Sequence, residues 1–314
     1  MRVATNAYTD SMLNQFNVLV ARQNSLANQA STGLSLQSPS DNPVAMQSTL
    51  DDLSQQAAQT QYSANIATLQ TRATSIANVM QSLQAINSRA GEIATLAGSP
   101  TASPADLTNY ASEVKQLIQQ AAQLMNSQDP ASGQYLFGGT NSTQAAYAIT
   151  TDAGGNVTGV TYQGNTNVAD KPIADGTTAA VDVPGSNTTG TGPQGVITDS
   201  RTGADFFNHL ISLQNHLLAG DTASISSTDT PALGKDENNI ISQISNNGAI
   251  QTQLETAQTA NTQQATSLTQ LVSTQADANI TDTIVQLNQA QYAYQAALQS
   301  GAGIMQKSLL DYLP

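Results

Sequence analysis

Apolar and small residues recur at alternating steps of three and four near both ends of the chain. This spacing is that of a coiled-coil seam, and a single narrow stripe of this kind needs a partner helix. The two stripes therefore predict that residues 1–32 and 278–314 pair as a terminal coiled coil. Their members are Leu13, Phe16, Val20, Gln23, Ala27 and Ala30 in the first, and Ile280, Ile284, Leu287, Gln291, Tyr294, Leu298, Gly301, Met305, Ser308 and Tyr312 in the second.

Long helices are predicted between these ends. Residues 44–99 and 232–313 contain no proline, which breaks helix interiors. A helix over residues 44–97 would be about 80 Å long, a length that suits a rod or a bundle more than a globular core. Shorter helices are predicted over residues 103–125, opened by a Ser-Pro cap, and over residues 206–220, closed by a glycine.

The middle of the chain has a different composition. Residues 138–195 hold 11 of the 21 glycines, and alternations such as NVTGVTYQG and AAVDVPG predict short strands joined by tight turns. The predicted fold class is mainly α, an elongated helical rod with a terminal coiled coil and an inserted small β domain. The predicted domains are a terminal coiled coil (1–32 and 278–314), a helical rod (33–140 and 196–277) and a β-rich variable insertion (141–195).

Composition narrows the classes of partner. Only 10% of the residues are charged, the formal net charge is −13 and the pI is near 4.1. Nucleic acid and anionic membranes need clustered Lys and Arg, so neither is expected as a partner. The absence of cysteine excludes disulfides and thiolate metal sites. The first residues lack the pattern of a cleaved signal peptide, which a dedicated secretion machine would not require.

Little in the sequence points to catalysis. His209 and His216 are seven residues apart and could share a metal, but two partly exposed helix histidines are the better interpretation because no third ligand accompanies them. The adjacent acidic pairs 51–52 and 236–237 are expected to be solvated, since neighbours on a helix diverge. No catalytic, cofactor-binding or metal site is predicted. An enzyme would require chemistry hidden among carboxylates of the insertion.

The segment STGLSLQSPSDNPVAM, residues 31–46, carries the turn and capping residues of a joint. Gly33 can supply the left-handed residue that ends the first helix. Pro39 keeps the connection extended, and Asn42 followed by Pro43 caps and begins the long helix. Together with Asp41, these residues are predicted to form an inter-domain joint.

The residues also resemble a known family. ANQASTGLSLQSPSDNPVAMQ, SGQYLFGGT at the edge of the insertion and the terminal QLNQAQYAYQAALQSGAGIMQKSLLDYL are similar to the flagellin superfamily, and within it to the hook-filament junction proteins, the third hook-associated proteins. SPSDNPV and SLLDYLP resemble the junction form more than flagellin. The resemblance covers both ends of the chain and one edge of the insertion.

The resemblance implies a structural component of the bacterial flagellum that connects the hook to the filament. Its implied partners are the first hook-associated protein, flagellin, an export chaperone and further copies of itself in a ring of about eleven. The resemblance also implies that the protein is exported through the flagellar type III system to the cell exterior. Flagellin itself and a secreted adhesin or binding module stay open as alternatives. No cofactor is implied.

A set of stripe residues is predicted to be buried between subunits, because each stripe is too narrow and too isolated in sequence to belong to a compact core. The amides of Gln23 and Gln291 are expected to fix register at a cost in stability. The predicted assembly residues are Leu13, Phe16, Val20, Gln23, Ala27, Ile280, Ile284, Leu287, Gln291, Tyr294, Leu298, Met305 and Leu309.

Overall fold

The computed structural model describes the backbone of residues 2–99 and 101–310, and the side chains of residues 10–99 and 101–302. The fold is mainly α with a few small sheets, as the sequence predicts. The helices are α1 (Arg2–Thr32), α2 (Pro43–Ala97), α3 (Pro104–Met125), α4 (Phe206–Ala219), α5 (Thr222–Ser224), a π-helical turn (Ile225–Asp229), α6 (Thr230–Ala276) and α7 (Ile280–Leu310). The strands are β1 (Tyr147–Thr151), β2 (Val157–Tyr162), β3 (Lys171–Ala174), β4 (Thr177–Ala179), β5 (Ser186–Asn187), β6 (Thr198–Asp199) and β7 (Ala204–Asp205).

Local chemistry explains where the shorter helices begin and end. The Ser103 hydroxyl accepts a hydrogen bond from the Asp106 amide, and the Asp106 carboxylate accepts one from the Ser103 amide. This reciprocal capping box, with Pro104 at the first helical position, begins α3. Gly220 ends α4 in the left-handed conformation, at φ 68°, where its amide bonds back to the last turn.

The chain forms two compact units. The first contains Met1–Ala58 and Gln263–Pro314, and the second contains Gln59–Thr262. The division falls inside α2 and α6, so each of these helices contributes one end to the first unit. The three-domain boundaries derived from sequence stay a prediction.

The second unit holds a continuous hydrophobic core. Buried faces of α2, α3, α4 and the beginning of α6 meet there, and the ring of Tyr147 packs between Tyr162 and Phe207. β1 pairs with β2 and β3 with β4 as antiparallel hairpins, while β6 pairs in parallel with β5 and antiparallel with β7.

The prediction of a strand over AAVDVPG is wrong beyond Ala179. The backbone of this segment bonds to other loops instead: the Gly185 amide donates to the Phe137 carbonyl, and the Val196 amide donates to the Pro184 carbonyl. Alternation of apolar residues here reflects burial of Val181 against the core, which a loop achieves as well as a strand.

The first unit consists of helix pairs with few buried apolar side chains. α1 packs antiparallel on α7. The beginning of α2 contacts the end of α6 through polar groups: the Gln275 side-chain oxygen accepts hydrogen bonds from the hydroxyls of Ser48 and Thr49, at 3.0 and 3.2 Å. None of the helices within the described residues is both long and apolar enough to cross a membrane.

Candidate assembly interface

The contact between α1 and α7 uses one stripe of each helix. In both helices the less exposed positions follow alternating steps of four and three, as a coiled-coil seam requires. This seam is narrow, and on α7 it consists largely of small residues, which let the two backbones approach closely. Its members are Met12, Phe16, Leu19, Gln23, Leu26 and Ala30 on α1, and Thr283, Leu287, Ala290, Tyr294, Ala297 and Gly301 on α7.

Two contacts set the register of this seam. The rings of Phe16 and Tyr294 meet edge to face with centroids 6.0 Å apart. At Gly301 a Cβ atom would lie 2.7 Å from the Met12 Cε and 3.5 Å from the Phe16 ring, so the glycine permits the close approach of α1. The carboxyl-terminal end of α7 therefore lies beside the amino-terminal half of α1.

A second stripe lies directly beside the seam on each helix and faces solvent. Its members follow seam residues by one position, as Leu13 follows Met12 and Leu298 follows Ala297, and Ile280 continues the stripe one turn before Ile284. Both helices are right-handed and run in opposite directions. Positions that follow the seam by one residue on each helix therefore lie on the same side of the pair. We call this surface the apolar flank. It consists of Leu13, Val20 and Ala27 of α1 with Ile280, Ile284, Gln291 and Leu298 of α7.

The apolar flank is exposed and carries no charged residue. Leu13 is 54% exposed, Ile284 47% and Leu298 46%, values far above those of a core leucine such as Leu26, at 6%. Gln291 is its one side chain with a polar group. The flank therefore offers a helix-spaced apolar surface that no other described part of the chain covers.

The structure separates the predicted assembly residues into two sets. Phe16, Gln23, Leu287 and Tyr294 lie in the seam between α1 and α7. The apolar flank contains Leu13, Val20, Ala27, Ile280, Ile284, Gln291 and Leu298. The side chains of Met305 and Leu309 are outside the described residues. The seam and the apolar flank are adjacent stripes, and steps of three and four fit either of them. Several seam positions hold small residues, so the pattern of large apolar residues in the sequence combined members of both stripes. Burial of either set between subunits stays a prediction, as does a register role for Gln23 and Gln291.

Exposure of large apolar side chains is concentrated in the first unit. Among described side chains, 13 of the 17 exposed large apolar residues belong to it, although it is the smaller unit. Of the 44 buried apolar residues in the described part of the chain, only four are there, namely Leu26, Leu268, Ala276 and Ala290. The first unit thus has the inverse of a globular distribution, which marks an interaction surface.

The predicted joint is ordered by hydrogen bonds to the returning chain. Gly33 ends α1 at φ 75°, and its carbonyl accepts a hydrogen bond from the Ala278 amide at 2.8 Å. The Ser35 amide donates to the Ala276 carbonyl at 2.7 Å, and Leu34 forms an antiparallel bridge with Asp277. The end of α1 is thereby tied to the connection between α6 and α7.

The beginning of α2 is fixed by two side chains. The Asp41 carboxylate accepts hydrogen bonds from the amides of Gln37 and Ser38, at 3.1 and 2.9 Å. The Asn42 side-chain oxygen accepts one from the Ala45 amide at 3.1 Å, and Pro43 occupies the first helical position. Pro39 is exposed in the turn that precedes these two residues, between α1 and α2. The caps have the local chemistry predicted from sequence, and the role of these positions as an inter-domain joint stays a prediction.

One residue of this region was missed by sequence reasoning. Asn279 caps α7, with its side-chain oxygen 3.3 Å from the Asp282 amide and its amide nitrogen 2.8 Å from the Asp282 carboxylate. The Asn-x-x-Asp spacing before an apolar stripe is a recognisable capping signal. It would have located the beginning of α7 to the residue.

The residues considered for catalysis or metal binding take structural positions. No group of three or more His, Asp or Glu side chains able to hold a metal ion occurs among the described residues. The expectation that Asp236 is solvated is wrong, because it is 1% exposed and hydrogen-bonded to His209 and to the Asp205 amide. A buried carboxylate on a helix needs such donors, and these come from a distant part of the sequence.

Comparisons with known proteins identify the fold. No protein-family model matches the chain, and no curated protein is significantly similar to it. A protein assigned as a flagellar hook-associated protein from Vibrio parahaemolyticus has a TM-score of 0.62 and 19% identity, covering 75% of this chain and 99% of that one.

Two further solved structures are similar. Hook-associated protein 3 from Legionella pneumophila has a TM-score of 0.57 and 16% identity, covering 70% of this chain and 98% of its own. FlgL from Bacillus cereus has a TM-score of 0.55 and 19% identity, covering 71% of this chain and 99% of its own. The fold expected from the sequence resemblance is confirmed: this chain has the fold of the flagellar hook-associated protein 3 structures.

Proposed function

We propose that the protein is a structural component of the bacterial flagellum that connects the hook to the flagellin filament. The observation that carries this proposal is the apolar flank of the α1–α7 pair, uncovered in a chain whose fold is that of hook-associated protein 3. Fully burying one leucine or isoleucine side chain stabilises a complex by ~1.5–3 kcal/mol, so a flank with four such large side chains favours association once neighbours are present.

The neighbours proposed are further copies of this chain, in a ring of about eleven, with the first hook-associated protein on one side and flagellin on the other. Helix packing across the apolar flank is the proposed mode of contact, because its residues follow helical spacing on two adjacent helices. An export chaperone is the proposed cover for the flank before assembly, and the proposed location is the flagellum outside the cell.

The test is replacement of the chromosomal copy by Leu13→Asp, Leu298→Asp or the double variant. A charge at the centre of a packed apolar contact is strongly unfavourable, so cells should carry bare hooks and release monomeric flagellin into the medium. Electron microscopy and immunoblotting of the medium measure both outcomes.

Leu218→Asp is the matched control, because Leu218 is 50% exposed but belongs to the second unit. It should leave filaments intact. Normal filaments in the double variant, with protein secreted at the usual level, would contradict the proposal. If the purified chain instead polymerises into long filaments, the protein is a filament subunit. If deletion of residues 141–195 abolishes binding of cells to a surface but leaves motility intact, the insertion has a separate binding role.

A further inference from the structure

The two histidines of the chain face two buried carboxylates in matched register. His209 and His216 lie seven residues apart on α4, and Asp236 and Asp229 lie seven residues apart on α6 and the π-helical turn before it. The His209 Nδ1 is 2.7 Å from the Asp236 Oδ2, and the His216 Nδ1 is 2.7 Å from the Asp229 Oδ2. Two similar contacts thus join α4 to the consecutive π-helical turn and α6.

The carboxylates are enclosed and the histidines are accessible. The Asp236 and Asp229 side chains are 0% and 1% exposed, whereas those of His209 and His216 are 22% and 29% exposed. Protons can therefore reach both imidazoles while both carboxylates stay buried. An accessible titrating group bonded to a buried acceptor is the arrangement that makes a contact respond to pH.

The remaining carboxylate oxygens also have partners. The Asp205 amide donates to the Asp236 Oδ1 at 2.8 Å, and the Ser212 hydroxyl donates to the Asp229 Oδ1 at 2.7 Å. Each buried carboxylate therefore bonds α4, or the residue immediately before it, through both oxygens. Weakening the imidazole contact leaves each carboxylate with a single neutral donor among these bonds.

Other charged groups act on the pairs in opposite senses. Asp205 favours the protonated form of His209, and Lys235 disfavours it. Asp205 also adds negative charge beside Asp236. On the other pair, His216 interacts with Asp221 at the beginning of α5, in addition to Asp229. Around His209 the carboxylates of Asp236 and Asp205 outnumber the ammonium of Lys235, which favours the imidazolium form of this residue.

We propose that the His209–Asp236 pair is a pH-dependent lock that helps to hold α4 against α6, tight in mildly acidic solution and loosened as the pH rises, with the His216–Asp229 contact beside it. With His209 protonated, the pair is an ion pair with a charge-assisted hydrogen bond, roughly twice as strong as a neutral one. Loss of the proton leaves a buried carboxylate beside a neutral ring, and the second unit loses part of the attachment of α4.

The direction follows from the group that titrates. Burial opposes the protonation of His209, but the hydrogen bond and the charge of Asp236 outweigh it and raise the pKa of His209. Burial also raises the pKa of Asp236. Both shifts mean that the folded chain binds more protons than the unfolded chain, so the free energy of unfolding falls as the pH rises through the raised pKa of His209.

The hydrophobic contacts of α4 limit the size of the effect. Phe206, Leu210 and Leu213 are fully buried in the core of the second unit and do not titrate. The lock therefore changes how often α4 opens without unfolding the unit, and its effect is expected to be local.

The experiment measures hydrogen exchange of the α4 amides in the full-length chain between about pH 5.5 and pH 8, corrected for intrinsic exchange, with NMR titration of both imidazoles. We expect a several-fold rise in α4 opening across the range, following the titration of His209, and little change in α3. The double variant His209→Gln/His216→Gln, which keeps hydrogen-bonding side chains, should remove the pH dependence.

Three outcomes would overturn the proposal: α4 opening that does not change with pH, opening that decreases as the pH rises, or an equal pH dependence in the double variant. If the double variant fails to fold, the titration of the unmodified chain still decides, because the lock requires the pKa of His209 to lie above that of a free histidine.

Discussion

Phe16 of α1 and Tyr294 of α7 meet edge to face, with their ring planes inclined by 81°. The seam around them mixes small and polar side chains such as Gln23, Ala290 and Thr283 with a few large apolar ones, namely Met12, Leu19, Leu26 and Leu287. The aromatic pair adds an edge-to-face contact to this narrow seam between the two helices within one chain. A terminal pair held this lightly is suited to gaining the rest of its stability from neighbours.

Truncation of either ring should loosen the terminal pair. In the purified chain, Phe16→Leu and Tyr294→Leu should each increase hydrogen exchange in α1 and α7. The loss of stability in the double variant should be smaller than the sum of the losses in the two single variants. The coupling between the rings is expected to be about 0.5–1.5 kcal/mol. Val18→Ala is the control, because Val18 is 67% exposed and lies away from the seam. Strict additivity would show that the rings do not interact.

Gly301 should respond to substitution differently from other helical glycines. An alanine normally stabilises a helix interior by up to ~1 kcal/mol relative to glycine. Gly248 has open space around its Cβ position, so Gly248→Ala should slow exchange in α6. Gly301→Ala should stabilise α7 less, or destabilise it, because its Cβ would contact the Met12 Cε at 2.7 Å. Adding Met12→Ala to Gly301→Ala should restore part of the stability. Equal effects of Gly248→Ala and Gly301→Ala would argue against a close helix contact.

Elements with a strong local signal were predictable from sequence. The capping box at Ser103 and Asp106, the proline at the beginning of α2 and the terminating Gly220 all act within one turn of the chain. Their chemistry does not depend on what packs against the helix, so the sequence alone locates these boundaries.

Positions set by distant parts of the chain were not predictable. Leu13 and Met12 both fit a helical stripe, and only the contact of Met12 with Gly301 decides which of the two faces α7. Asp236 looks like a surface residue until His209, 27 residues away, is placed beside it. Long-range partners of polar side chains leave no local pattern.

The cap at Asn42 offers a test of the joint. Its side-chain oxygen bonds the Ala45 amide, which has no partner within the helix. Asn42→Ala should cost about 1 kcal/mol and increase exchange over the first turn of α2, while Asn42→Ser should be nearly neutral because serine also caps. Equal exchange in the two variants would show that the cap contributes nothing.

In cells, Pro43→Ala is expected to leave secretion intact and to reduce filament retention under shear.

Arg72 is the strongest candidate for a single residue that stabilises the second unit. It is 7% exposed, and its guanidinium contacts Asp129 at 3.4 Å, the Tyr135 carbonyl at 3.4 Å and the Asp182 carboxylate. Asp129 is buried as well and also accepts hydrogen bonds from the Ala131 amide and the Ser132 hydroxyl. Removal of the arginine would leave this carboxylate buried without a counter-charge.

Arg72→Met should therefore destabilise the second unit by about 3–5 kcal/mol in urea unfolding at neutral pH. Arg89→Met is the matched control on the same helix, since Arg89 pairs with Glu113 and Glu92 at the surface, where water screens the charges, and its loss should change the stability little. Burial opposes ionisation of Asp129, but its hydrogen bonds and the charge of Arg72 outweigh this and lower its pKa. The contribution of Asp129 is thus present at neutral pH and is lost as the pH falls through that lowered value. Without Arg72 the pKa of Asp129 should be lowered less, so acid should remove less stability from Arg72→Met than from the unmodified chain, and the gap in stability between the two should narrow in acid. A gap that stays constant down to about pH 3 would assign the effect to packing of the side chain and not to its charge.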